Sequence, residues 1–185
     1  MRNCLGLRQQ GACVVEKARG LQDGFRPAGR FTVKHIRDGK ILAEYDVPNG
    51  IVDVGLNYIL ETMFNSGAQI TAWYMGLIDN AGFTALDHED VMSSHAGWVE
   101  LDDYDNATRP EWTAGTAATR QITNAVTVDF TISATRTVYG LFICGGTGAA
   151  TKNASTGTLW STAGFGSTVS VNDGDVLKVT YTVSG

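Results

Sequence analysis

Cysteine, charge and long apolar runs are all scarce in this sequence, and each scarcity closes off a class of protein. The 185 residues hold three cysteines, Cys4, Cys13 and Cys144, widely spaced and with no Cys-x-x-Cys pair. An odd number without paired spacing makes neither a disulfide framework nor a zinc knuckle. No run approaches the ~18 apolar residues of a membrane-crossing helix, so no membrane partner is expected. Arg8, Gln9, Gln10, Glu16 and Lys17 break the apolar stretches near the start. That pattern is unlike a secretory signal, and the chain is expected to be made and kept in a cytoplasm. Charged residues reach 18%, below the typical ~25%.

Motifs for chemistry are scarce as well. His88 and His95 lie two helical turns apart if helical, about 10 Å along the axis, which is too far for one metal. Asp102, Asp103, Asp105 and Asn106 have the composition of a calcium loop without its ordered Gly and Glu positions. Gly145-Gly146-Thr147-Gly148 lacks the Gly-Lys-Ser/Thr ending of a phosphate cradle. Ser93 and Ser94 sit in no Gly-x-Ser-x-Gly elbow. Cys144 lies within Leu141-Phe142-Ile143-Cys144 and reads as a small buried hydrophobe. The expectation is a non-enzymatic protein with no catalytic residue, metal or cofactor.

What is present points to β structure. Twenty-two glycines and abundant threonine favour strands with frequent turns. Charge is unevenly spread. Residues 1–40 carry nine basic groups (Arg2, Arg8, Lys17, Arg19, Arg26, Arg30, Lys34, Arg37, Lys40) against Glu16, Asp23 and Asp38. The remaining 145 residues carry five basic groups and sixteen acids. A basic leading stretch on an acidic body favours head-to-tail association or an acidic partner. Such a body is a poor nucleic-acid binder, and no nucleic-acid partner is expected.

Residues 1–29 show weak periodicity and scattered glycines, and read as an extended basic N-terminal arm. Alone in water such a segment buries too little surface to offset its ordering entropy, at about 1–2 kcal/mol per residue. A neighbouring subunit is the economical source of contacts; folding back on its own domain is the alternative. The body spans 30–185. Arg30 to Val47 reads as a hairpin around Asp38-Gly39, a type I′ turn signal. Leu56, Ile59, Leu60 and Met63, with Phe64 beside them, predict a helix capped by Asp53 and stopped by Asn65-Ser66-Gly67, its apolar face packed inward. Residues 71–78 predict a central strand, and residues 85–93 a second short helix with His95 capping its end. A strand is expected over 97–101. From 126 onward alternation is all β: 126–132, then 137–144 covered on both faces, a polar loop over 145–157, a short strand over 158–161, and 177–183. The fold class is mostly β: an antiparallel sandwich or jelly roll with one or two short helices inserted. Trp73, Trp98, Trp112 and Trp160 read as core and interface residues before a sugar-stacking platform.

Several segments together resemble one family of small bacteriophage structural proteins. They are residues 33–40 (Val-Lys-His-Ile-Arg-Asp-Gly-Lys), 55–60 (Gly-Leu-Asn-Tyr-Ile-Leu), 70–80, Ser94-His95-Ala96-Gly97-Trp98, Thr108-Arg109-Pro110-Glu111-Trp112, Gly157-Thr158-Leu159-Trp160-Ser161 and the closing 174–183. The resemblance spans about residues 31–183 and carries no catalytic motif. It implies a virion protein, on the outer capsid surface as a decoration (cement) protein that bridges major capsid subunits. Its implied partners are the major capsid protein and copies of itself, as a trimer or dimer. The alternative is a tail fibre, baseplate or head-fibre component that binds host glycans. In the cement reading, Arg2, Arg8, Lys17, Arg19, Arg26 and Arg30 would steer docking to an acidic patch, and Trp112 and Trp160 would anchor the contact.

Overall fold

The computed structural model describes residues 26–185. The arm candidates Arg2, Arg8, Lys17 and Arg19, together with Cys4 and Cys13, lie outside the described residues. In chain order the elements are β1 (Ala28–Arg37), β2 (Lys40–Pro48), β3 (Gly50–Ile51), α1 (Asp53–Phe64), β4 (Trp73–Asp79), β5 (Glu100–Leu101), β6 (Glu111–Trp112), β7 (Gln121–Thr123), β8 (Val128–Thr131), β9 (Arg136–Gly145), β10 (Thr158–Val171) and β11 (Val176–Ser184).

They form two antiparallel sheets. One runs β2-β1-β11-β7, with β8 also on β11; the other runs β3-β10-β9-β4-β5, with β6 also on β4. Period-two alternation turns one face of each inward. Phe31 and Val33 of β1 and Leu177, Val179 and Tyr181 of β11 meet Met75 and Leu77 of β4 and Leu141 and Ile143 of β9. The Asp38-Gly39 turn is as expected: both residues take positive φ, 49° and 73°, and Arg37 pairs directly with Lys40. The apolar run in β9 is covered on both faces. Leu141 and Ile143 point into the sandwich, while Phe142 and Cys144 point into a second cluster with Met92, Trp98 and Leu159. Gly140 is required there, because a Cβ would collide with the Ala163 carbonyl across the β9–β10 ladder.

Several expectations are corrected. Residues 85–93 form turns and a Val91–Ser94 bridge, with no helix. The aspartates offer the backbone better partners than a helix would: Asp87 N donates to Asp90 Oδ2 at 3.0 Å, and Glu89 N donates to Asp87 Oδ1 at 3.0 Å. His95 therefore caps nothing; its ring stacks on Trp98, centroids 3.8 Å apart, and Nδ1 lies 2.9 Å from the Trp98 carbonyl. The 97–101 strand shrinks to β5, and the short strand at 158–161 is the start of the 14-residue β10. Asp53 is the first residue of α1 and leaves the N-cap position to Val52, which makes no side-chain cap bond. Its carboxylate still sits favourably at the positive end of the helix.

Candidate interaction surface

Helix α1 carries two apolar stripes, and the one expected to be buried faces solvent. The packed side is Val52, Gly55 and Ile59, with Tyr58 beside it. Gly55 lets the helix lie against β10: a Cβ there would come within 2.6 Å of the Trp160 carbonyl oxygen. The stripe of Leu56, Leu60, Met63 and Phe64 points away. Leu60 is 55% exposed, Met63 65% and Phe64 79%. Periodicity identifies a stripe, yet with apolar residues on both sides it does not say which one meets the sheet. The glycine at 55 was the signal, since a helical glycine marks close backbone approach.

Beside α1, the end of the sandwich opens into a crevice of about 170 Å³. Tyr58 and Ile59 of α1 line it together with Trp73, Trp112, Trp160, Ile122 and Val183. Trp73 packs edge-on against both Tyr58 and Trp160. Several of the crevice's polar atoms are engaged within the protein. Trp112 Nε1 donates to Asn124 Oδ1 at 3.0 Å, and Trp160 Nε1 donates to the Tyr181 hydroxyl at 2.7 Å. The Tyr58 hydroxyl accepts from Ile70 N at 2.7 Å. The rest of the lining is mostly apolar and aromatic.

The named candidates fall unevenly on this surface. Trp112 and Trp160 come together in the crevice as part of its floor and walls, each 8% exposed. Arg30 lies on the outer face of β1, with NH1 2.7 Å from Asp46 Oδ2, and Arg26 is exposed. Sequence reasoning missed Tyr58, Trp73, Ile122 and Val183 as neighbours, because they lie on four separate elements, α1, β4, β7 and β11.

The buried polar groups fix loops. Arg109, 1% exposed, places Nε and NH2 on Glu100 at 2.9 and 2.7 Å. It also donates to the carbonyls of Ala149 and Ala154, at 2.9 and 3.1 Å. Burial draws the guanidinium pKa down, but the bonds and charge of Glu100 outweigh it and the net shift is upward. Lys152 reaches back to the Tyr104 carbonyl at 2.6 Å, and Asn153 N donates to Glu100 Oε2 at 2.6 Å. The glycine-rich 146–157 loop is thereby tied to the body. The acidic stretch is engaged too: Asp103 pairs with Arg136 at 2.7 Å, and Asn153 Nδ2 donates to Asp102 at 2.7 Å. On the other sheet, Asp175 accepts from Arg37 twice, at 2.6 and 2.7 Å, and lies 2.7 Å from His35 Nε2. The Arg37 guanidinium holds its carboxyl well below the usual carboxylate range. Burial pushes the Cys144 thiol up to about 11.

Compared with known proteins, the chain matches no family model and no curated sequence.

Proposed function

We propose that this chain is a non-enzymatic structural protein of a bacteriophage particle, placed on the outer capsid surface as a decoration protein that bridges major capsid subunits and neighbouring copies. The observation that carries the adhesive part of this reading is the solvent-facing stripe of α1. Leu60, Met63 and Phe64 stand on a helix whose other side is already packed, and no element among the described residues covers them. A contiguous exposed apolar ridge on a soluble domain marks a docking surface. The particle itself is suggested by the residue pattern over 31–183. A rigid sandwich with pinned loops suits a part that must resist force by contact area, at about 1,200–2,000 Å² per specific interface.

The glycan-binding tail alternative draws less support. Trp98, Trp112 and Trp160 are 2%, 8% and 8% exposed, so three of the four rings that would stack a sugar are turned inward. The test is co-sedimentation of purified protein with undecorated phage heads. The native chain is expected to bind at saturable occupancy, and the Leu60→Asp/Phe64→Asp variant to lose binding while keeping its circular dichroism spectrum. Equal binding by both, or binding to tails alone, would overturn the reading.

A further inference from the structure

We propose that the aromatic crevice takes a proline-bearing segment of a protein partner, with Trp73 Nε1 donating to the carbonyl ahead of the proline. The proposal rests on the adhesive reading of this end of the molecule and names the chemistry its partner must present. It starts from an unused donor. Trp98 donates its indole N–H to Asp90, Trp112 to Asn124 and Trp160 to the Tyr181 hydroxyl, at 2.9, 3.0 and 2.7 Å. Trp73 lines the crevice, and its Nε1 has no partner among the described residues. Among those residues the side-chain atoms sealed from solvent without a partner are Asn49 Oδ1 and Thr62 Oγ1, so the Trp73 N–H is open to an incoming acceptor. The ring is also held in advance. Tyr58 and Trp160 pack edge-on against it, at centroid distances of 5.5 and 6.0 Å. Gly145 makes room for it, since a Cβ there would come within 2.5 Å of the six-membered ring. A donor fixed before binding loses little entropy when it is used.

The lining then selects its occupant. Its side-chain acceptors are the Tyr58 and Tyr181 hydroxyls. The first already accepts from Ile70 N, and the second from Trp160 Nε1 and Asn49 Nδ2. Tyr58 keeps its own proton to donate. The side chains therefore offer donors, while their acceptors are engaged inside the fold. A sugar or an ordinary peptide would bring hydroxyl or amide protons with no acceptor to receive them, and each such group weakens binding. A proline amide brings a carbonyl and no N–H. Its ring packs on indole and phenol faces, and a proline-rich chain is already extended before it docks. Size agrees. The crevice is about 170 Å³, and an apolar cavity of about 150 Å³ holds one benzene ring. Position agrees as well. Tyr58 and Ile59 immediately precede Leu60 on α1, so the crevice is continuous with the exposed stripe and a single partner reaches both.

The test is an NMR titration of the indole N–H signals of the full chain with acetyl-hexaproline amide at millimolar concentration. The Trp73 signal, identified by its loss in Trp73→Phe, is expected to move and saturate, while that of Trp98, tied to Asp90, stays in place. Acetyl-hexa-alanine amide and methyl glucoside should leave it unmoved. Trp73→Phe keeps a ring in the crevice and removes the N–H. With its Val33 and Leu77 methyl signals unchanged, its affinity for hexaproline, read at the Ile122 and Val183 methyls, should fall about 2- to 10-fold, the worth of one hydrogen bond. A Trp73 signal indifferent to hexaproline, or one that answers equally to hexa-alanine or the glucoside, would overturn the proposal. So would an unchanged affinity in Trp73→Phe, or a Trp73 signal that moves with protein concentration alone, which would give the crevice to a second copy. Heads bound by a native chain whose Trp73 signal ignores hexaproline would sink this proposal and leave the function reading standing. Hexaproline bound at Trp73 by a chain that ignores heads would do the reverse.

Discussion

Replacing Arg109 with leucine should cost this domain a large share of its stability and free one loop. The side chain is 1% exposed and its partner Glu100 4%. Leucine removes both bonds to Glu100, at 2.9 and 2.7 Å, and leaves that carboxylate buried with only Asn153 N at 2.6 Å and the distant Tyr104 hydroxyl. It also strands the Ala154 carbonyl and leaves that of Ala149 with only the Cys144 thiol at 3.7 Å. Breaking one side of a buried pair costs about 3–5 kcal/mol. For a domain of this size that corresponds to a melting shift of about 6–20 °C. Denaturant unfolding gives the energy, and hydrogen exchange over 146–157 gives the place. Glu100→Gln keeps one acceptor and should cost less. A loss in Arg109→Leu below about 1 kcal/mol, the scale of an exposed pair, with exchange over 146–157 unchanged, would refute the reasoning.

Other outcomes follow from the same geometry. Leu60→Asp and Phe64→Asp, at positions 55% and 79% exposed, should move stability by no more than about 0.5 kcal/mol, checked by thermal melts, while removing particle binding. Because the Asp175 carboxyl is held below its unfolded value by Arg37, its stabilisation is complete above about pH 4. It is lost as the pH falls further towards the native pKa. Acid titration of Asp175→Asn should show lower stability at neutral pH and a flatter fall below pH 4. Cys144, buried and with its thiol raised to about 11, should resist iodoacetamide in the native protein and react only on unfolding, as read by peptide mass mapping.

Much of the fold was legible because local signals agreed with one another. Asp38-Gly39 between alternating runs carries its own turn geometry, and the unbroken apolar run at 140–144 requires cover on both faces. The reading failed where side chains chose among partners distant in sequence. Asp90 takes the Trp98 indole N–H at 2.9 Å; nothing near residue 90 announces that bond, and the helix expected over 85–93 gives way to it. In α1 the periodicity was right and the facing was wrong, since the sheet meets the Gly55 side. Trp112 and Trp160 were singled out as anchors, but the crevice they share with Trp73, Ile122 and Val183 exists only once the ends of β4, β6, β7, β10 and β11 meet.

The central claim, that the chain works by adhesion on a phage shell, is tested most directly by cryo-electron microscopy of purified particles. The account predicts sandwich-shaped density at regular positions on the outer capsid, with α1 turned towards the major capsid protein. Density confined to the tail, or particles that carry none of this chain, would contradict it.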